Sequence, residues 1–301
     1  MERQYILHMF TPRAQMSPFD INMAVDAGFQ VVVPYCGVAA GEIRGMTQDA
    51  IFSRGPKGVK ATGIFIGGRD VLLAADMLDA ARAAMVPPFE VSVMADPSGS
   101  YTTAAALVAC VERQLKQAHG TDLSGKELVI LGGTGPVGRI AGVLAAGLGA
   151  QVALGHHVDR ATAERAAQTS GDRFACQLRG VDASTVAARR PLLAEAEIIL
   201  ATSAAGVQVV DAAELAGAAR LLVAADVNAV PPAGIAGVGV MDDGKPLPGG
   251  RAVGIGALAV GNVKYQVEHR LLVAMLAADK PCYLGFREAF AMARQVLSET
   301  V

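Results

Sequence analysis

The sequence predicts an α/β protein of two domains. One is an N-terminal α/β domain, the other a Rossmann-type dinucleotide domain with a parallel sheet. Three observations predict this. Lys126-Glu-Leu-Val-Ile-Leu-Gly-Gly-Thr-Gly-Pro-Val-Gly138 runs from an uncharged apolar stretch straight into a glycine-rich turn. A small-residue helical run at 139–149 and a second apolar stretch at 151–154 follow it on schedule. Before it, strand-length apolar runs alternate with helical patterns from 5 to 118. The divisions expected are 1–118, 119–262 and 263–301.

The totals agree. The chain has 301 residues, 52% hydrophobic and 18% charged, enough for a large core and too apolar for disorder. A net charge of -2 gives no electrostatic case for binding nucleic acid. Cys36, Cys110, Cys176 and Cys282 form no CxxC pair, which points to free thiols in a reducing cytoplasm, with no metal site. The apolar run within 1–10 is too short for a signal peptide. The uncharged span 140–158 is long enough to raise a membrane question, but its Gly, Ala and His content fits a helix-turn-strand unit. A soluble protein without membrane contact is expected.

Taken in order, 5–10 reads as a strand, followed by a helix at 18–26 that Ser17 caps and Pro18 opens. A strand at 30–34 follows, then a short helix to 52 capped by Thr47, and a basic Gly/Pro-rich loop at 53–60. Further on come a strand at 61–66, a helix at 71–85, a strand at 90–94 and a long helix at 104–118. Beyond 154 the pattern gives helices at 161–170 and 184–193, strands at 174–178, 198–201 and 221–225, and a short helix at 211–215. A loop-and-strand region at 249–261 leads to helices at 262–278 and 284–300.

In the glycine turn, Gly133 is expected to make the bend and Gly135 to let the backbone approach a pyrophosphate. Gly138 lets the helix lie close, and Thr134, Pro136 and Val137 complete the turn at a helix N-terminus that favours phosphate. Coenzyme choice is set at the next strand end, where Gly155-His156-His157-Val-Asp159-Arg160 stands. No carboxylate sits directly at that end, and two imidazoles with Arg160 suit a 2′-phosphate, so NADP is favoured and NAD stays open. The alternative is that His156 and His157 are only solvated turn residues. Ser203, Ala204, Asp226 and Asn228 lie at later strand ends, as nicotinamide and ribose contacts or as plain loop residues.

Ligands bind at carboxyl ends of parallel strands, which picks out Asp20, the segment from Lys57 to Lys60, and the segment from Asp96 to Thr103. Asp96-Pro-Ser98-Gly99-Ser100-Tyr101-Thr102-Thr103 is dense in hydrogen-bonding groups, which suits a polar heterocycle, although Ser100 or Tyr101 also reads as a helix cap. Lys264 follows a long uncharged flank and is a site candidate; an ion pair with Glu268 one helical turn on is the competing reading.

Ser53-Arg-Gly-Pro-Lys57, Ile64-Phe-Ile-Gly-Gly68, the Asp96 segment, the glycine turn, Ala225-Asp-Val-Asn-Ala-Val-Pro-Pro232 and Gly256-Ala-Leu-Ala-Val-Gly-Asn-Val-Lys264 occur together. With them the chain resembles the bacterial NAD(P)-dependent methylene-tetrahydromethanopterin dehydrogenases of one-carbon metabolism, over nearly its whole length. The resemblance implies direct hydride transfer from a methylene-bridged pterin to nicotinamide, without an obligatory acid or base. It also implies a pterin domain built from the N-terminal part and last helices, a cleft that closes on both ligands, and a homo-oligomer, trimer or hexamer. By motif position, Lys264 and Asp20 become polar partners of the pterin or its imidazolidine ring, and the loop from Asp96 to Thr103 holds the pterin. The Tyr-x-x-x-Lys pair of the bifunctional folate dehydrogenase–cyclohydrolases is missing from the N-terminal part, which speaks against cyclohydrolase activity. Three rivals stand beside this reading. They are a methylene-tetrahydrofolate dehydrogenase, a shikimate- or amino-acid-type dehydrogenase using Lys60 with Asp96, and a nucleotide-sensing module without turnover.

Overall fold

The computed structural model describes residues 4–299, with the side chains of Pro56 and Lys57 outside the described set. Strand β1 (Ile6–Thr11) leads to helix α1 (Pro18–Asp26), which starts where the cap signal placed it. The Ser17 hydroxyl accepts the Asp20 N–H at 3.4 Å, and Pro18 takes a first-turn position where its missing N–H costs nothing. After β2 (Val31–Cys36) comes α2 (Ile43–Phe52), which does not begin under Thr47. A 3₁₀ turn at Ala40–Glu42, closed by the Ala39 N–H on the Glu42 carboxylate at 2.7 Å, feeds the helix earlier and leaves Thr47 buried inside it.

The basic stretch that follows is no open loop. It folds as α3 (Gly55–Val59), and Arg54 ties it down by donating to the carbonyls of Gln4 and Ala61 and to Thr62 Oγ1. Then come β3 (Thr62–Ile66), α4 (Val71–Ala83), capped by Asp70, and β4 (Ser92–Ala95). Helix α5 (Ser100–His119) begins before the expected residue 104.

Strand β5 (Glu127–Leu131), α6 (Pro136–Gly147) and β6 (Gln151–His156) form the expected βαβ unit. Helix α7 (Arg160–Phe174) is longer than its pattern suggested. Phe174 packs inward as its last residue and Ala175 closes it in the left-handed region at φ 55°, so the next strand is β7 (Arg179–Asp182), not 174–178. The chain continues through α8 (Val186–Glu195), β8 (Ile198–Ala201), α9 (Ala212–Ala216) and β9 (Val223–Asp226). Two short strands, β10 (Asp243–Pro246) and β11 (Val253–Ile255), precede α10 (Ala257–Ala277), which starts earlier than expected. A two-residue strand, β12 (Tyr283–Leu284), and α11 (Phe286–Glu299) finish it.

Two sheets result. The five-stranded sheet has the order β12-β4-β3-β1-β2 and is parallel throughout. Its chain order reverses direction between β1 and β3. The seven-stranded sheet has the order β10-β11-β9-β8-β5-β6-β7, parallel except for β10 on β11. Its reversal falls between β5 and β8, and ligands of open α/β sheets bind at such switch points. Strands β3, β4, β5 and β8 are fully or almost fully buried, which accounts for their continuous apolar runs. The outer strands differ: β2 carries Pro34, β10 carries Pro246, β7 is bounded by Arg179 and Asp182, and β12 is only two residues long.

The chain divides into two compact units. One comprises Met1–Thr102 with Tyr265–Met292, the other Thr103–Lys264 with Ala293–Val301. The divisions therefore fall inside α5, α10 and α11, where the sequence placed them at 118/119 and 262/263. Cys110 is buried on α5, and burial pushes its thiol up to about 12, the behaviour of an inert core residue. No helix among the described residues is long and apolar enough to cross a membrane.

Candidate functional site

The glycine turn sits at the switch point of the seven-stranded sheet, between β5 and α6. Its bend is made by Gly132, at φ +80°, and not by Gly133 as the spacing suggested. Close approach explains the next two positions. A Cβ on Gly133 would stand 2.8 Å from the Ile130 carbonyl oxygen and 2.9 Å from Leu154 Cα. One on Gly138 would stand 2.7 Å from Gly133 Cα and 2.8 Å from Thr202 Oγ1. The helix therefore lies against the turn, with Pro136 in a first-turn position and the N–H groups of Val137 and Gly138 in the first turn, which has no intrahelical acceptors. At Gly135 a Cβ would meet only the Gly132 carbonyl oxygen, at 3.3 Å, so the outer side of the turn is open. Thr134, Gly135, Pro136 and Val137 are half-buried there. Backbone this bare at a helix N-terminus fits a pyrophosphate.

At the end of β6, His156 is half-buried and its Nδ1 accepts the N–H groups of Val158 and Asp159 at 3.4 and 3.5 Å. His157 is exposed, its ring 4.7 Å from that of His156. Arg160 pairs with Glu164 at 2.7 Å on the exposed face of α7. The fold brings two carboxylates to this end: Asp159, to which sequence reasoning gave no role, and Asp182, which it missed. Asp159 Oδ2 lies 4.0 Å from His156 Nδ1, and Asp182, the last residue of β7, is the register partner of His156. Both are held low: Asp159 by the N–H and hydroxyl of Thr162, Asp182 by hydrogen bonds from Ser184. Cross-strand register was the signal for Asp182, and it becomes readable only once β7 is placed at 179–182.

The loops after β8 and β9 back the glycine turn. Ser203 packs against Gly132, whose absent Cβ would meet Ser203 N at 2.7 Å, and Ala204 is exposed. Asn228 Oδ1 accepts the N–H groups of Gly206 and Val230 at 3.0 Å each, while its Nδ2 donates to the Pro232 carbonyl. Buried Asp226 accepts from Asn228 N on one oxygen and from Gly234 and Ile235 N on the other. Burial, opposed by those N–H groups, raises its carboxyl. Both side chains thus hold the loop, and its backbone and small residues are what a ligand can meet.

In the other unit, a cavity of about 340 Å³ opens at the switch point of the five-stranded sheet. Thr11 at the end of β1, Gly68 after β3 and Ser98 after β4 line it, with Asp20 from the first turn of α1. Asp20 is 3% exposed. Ser98, at φ 53°, donates its hydroxyl to the Gly68 carbonyl at 2.5 Å. The remainder of that segment faces inward. Asp96 Oδ1 accepts Tyr101 N and Thr102 N at 2.8 and 3.3 Å, and Oδ2 accepts the Thr102 hydroxyl at 2.6 Å. Ser100 donates to the Pro97 carbonyl and Tyr101 to that of Val71. Gly99 turns the backbone at φ 66°, and half-buried Thr103 begins the other unit. Most of the polar groups that suggested a heterocycle site therefore build the turn. Only Ser98 of the segment lines the cavity.

The structure does not bring Lys60 to this cavity. It is exposed, precedes β3, and lines a smaller hollow of about 210 Å³ with Thr62 and Ser92 at the amino ends of the strands. A strand of five residues spans roughly 17 Å, so Lys60 and Asp96 stand at opposite ends of the sheet and form no catalytic pair. The side chain of Lys57 lies outside the described residues. Lys264 is half-buried on α10, with Glu268 wholly buried one turn further on. Arg13 and Gln15, which sequence reasoning did not single out, also line the cavity.

A model for the N-terminal region of methylene-tetrahydromethanopterin dehydrogenase matches residues 18–98. The NAD(P)-dependent methylenetetrahydromethanopterin dehydrogenase of Methylorubrum extorquens strain AM1 is 50% identical over 291 residues, 97% of this chain and 98% of that protein. The bifunctional protein MdtA of the same organism is 33% identical over 292 residues, covering 97% of this chain and 98% of its own. Among solved structures, quinate dehydrogenase from Corynebacterium glutamicum in complex with NAD aligns over 99% of this chain and 100% of its own. Its TM-score of 0.53 at 12% identity is a likeness of fold alone.

Proposed function

The chain belongs to the methylene-tetrahydromethanopterin dehydrogenase family, and from that premise we propose that it moves a hydride reversibly between methylene-tetrahydromethanopterin and NAD(P)+. The observation that carries the coenzyme half is the turn from Gly132 to Gly138 at a switch point, whose outer side is open at Gly135. Val137 and Gly138 N–H groups receive the pyrophosphate, and the loops held by Asp226 and Asn228 place Ser203 and Ala204 beside the nicotinamide. When bound, the nicotinamide supplies the hydride acceptor. The protein orients two rings and excludes water, and the nitrogen lone pair of the substrate stabilises the cation that forms.

His156, His157 and Arg160 favour a 2′-phosphate. Asp159 and Asp182 stand at the same end with acceptor sites left over from the bonds of their own turns, so a ribose hydroxyl is acceptable too. The reading is therefore NADP with NAD accepted. Asp20 and Ser98 hold the pterin in the cavity of the five-stranded unit. Four cysteines without a disulfide suit a cytoplasmic enzyme. The test is reduced-nicotinamide absorbance on mixing with methylene-tetrahydromethanopterin and either coenzyme. Turnover supports the reading and the two rates rank the coenzymes. Turnover with the folate analogue alone replaces the substrate, and silence with both carriers removes the reaction.

A further inference from the structure

The loop after β1 holds an arginine that the reading above leaves without a role. The backbone of Arg13 is fixed at both ends: its N–H donates to Thr11 Oγ1 at 3.2 Å and its carbonyl accepts Gly37 N–H at 2.8 Å. Its side chain is exposed, and no ion pair among the described residues includes it. It lines the same cavity as Asp20, and in that lining Arg13 is the one cation and Asp20 the one anion. They differ in depth, since Asp20 is almost wholly buried and Arg13 faces solvent.

The size of the cavity divides the substrate. Its volume of about 340 Å³ is near the lower limit of sites that enclose drug-sized ligands, roughly 300 to 1,000 Å³. A reduced pterin ring system fits there. The long side chain of a pterin carrier does not, and has to leave through the opening. That side chain carries acidic groups in the methanopterin and folate series alike. An anion leaving the cavity meets a guanidinium on a fixed backbone, whose planar fork matches carboxylate or phosphate. We infer that Arg13 binds the acidic tail of the pterin carrier at the mouth of this cavity and so sets carrier affinity. The inference rests on the assignment of the cavity to the pterin.

The tail is remote from the reacting methylene carbon, so the contact is the same before and during hydride transfer, and its loss falls on KM rather than kcat. An exposed charge pair is modest, so Arg13→Ala weakens carrier binding about two- to fivefold, and the difference shrinks as salt rises. Calorimetry without coenzyme tests this on wild type, Arg13→Ala and Arg13→Lys. Two carriers are compared: methylene-tetrahydromethanopterin, and a truncated carrier that keeps the pterin and arylamine nitrogens but lacks the acidic groups. The expected result is a salt-sensitive loss in Arg13→Ala with the full carrier, partial retention in Arg13→Lys, and equal binding of the truncated carrier by all three. Equal losses with both carriers, or none with the full one, overturn the role of Arg13 while leaving the pterin assignment standing. Failure of the wild type to bind either carrier removes the pterin assignment, and this inference with it.

Discussion

Gly138 and Gly133 touch backbone to backbone: a Cβ on Gly138 would lie 2.7 Å from Gly133 Cα, inside any real contact distance. Gly138→Ala therefore forces α6 away from the turn, which costs about 1–3 kcal/mol as overpacking and opens the phosphate cradle as well. Melting temperature and NADPH affinity fall together. Gly135→Val separates the two, because a Cβ there meets only the Gly132 carbonyl oxygen, at 3.3 Å, within the protein. Coenzyme binding is lost while the melting temperature moves little, and retained NADPH affinity would place the pyrophosphate elsewhere.

Asp96 holds the start of α5 with one carboxylate, through Tyr101 N, Thr102 N and the Thr102 hydroxyl. Removing it in Asp96→Ala leaves three donors without their acceptor and costs about 3 kcal/mol, at about 1 kcal/mol for each bond. Thr102→Val removes one of the three and costs about 1 kcal/mol. Denaturant midpoints rank wild type, Thr102→Val and Asp96→Ala in that order; equal midpoints for the two variants contradict the shared anchor.

The His8 ring lies tilted beside that of Tyr35, and its Nδ1 is 3.2 Å from the Tyr35 hydroxyl. Burial, with a smaller push from Arg54, holds its imidazole below the ordinary value. The unfolded chain then takes up a proton near pH 6.5 that the folded protein refuses until lower pH. The stability this supplies is full above that pH and lost as pH falls through the folded value. His8→Gln keeps a polar group for Tyr35 and removes the titration. Urea midpoints at pH 5 and 7.5 converge in the variant relative to wild type, and an unchanged gap rules His8 out as the source.

Asp226 works in the opposite sense. Burial raises its carboxyl despite the N–H groups of Asn228, Ile235 and Gly234. The folded protein thus keeps a proton that the unfolded chain has already lost near pH 4, and stability declines as pH climbs from there through the raised value. Asp226→Asn removes that slope, but turns an amide toward N–H donors and costs about 1–3 kcal/mol at every pH. Denaturant curves from pH 3.5 to 6.5 show a variant of lower, flatter stability; parallel curves exclude Asp226 from the pH response.

How much of this is legible in the sequence follows from the range of each signal. The helix after Ser17-Pro18 is readable because its cap and first residue are adjacent in the chain. The start of α5 is not, since its anchor is a carboxylate that reaches across a 3₁₀ turn, with Ser98 in a backbone region few side chains enter. Phe174 sits beside apolar residues that look like a strand. What ends α7 is an alanine in a conformation usually left to glycine, and no local signal marks that. The glycine turn and its sheet were readable from spacing, down to the close packing of Gly138. The assignment of the bend to Gly132 needed the backbone angle. At the cavity, Asp20 and Ser98 are legible from their places at strand carboxyl ends. Arg13 is not, because its significance lies in sharing a lining with Asp20, a relation set by the parallel neighbours of β1.

The four outer strands bear on how copies of the chain can meet. Pro34 and Pro246 remove a donor from their ladders, β12 offers only two residues, and β7 is bracketed by Arg179 and Asp182. A neighbouring copy that tried to add a strand at any of these margins would leave carbonyls unmatched or face fixed charge. Backbone templating between molecules is disfavoured at all four described margins, which turns self-association toward helix faces and side chains. A crowded solution of it is thereby protected from ribbon-like growth.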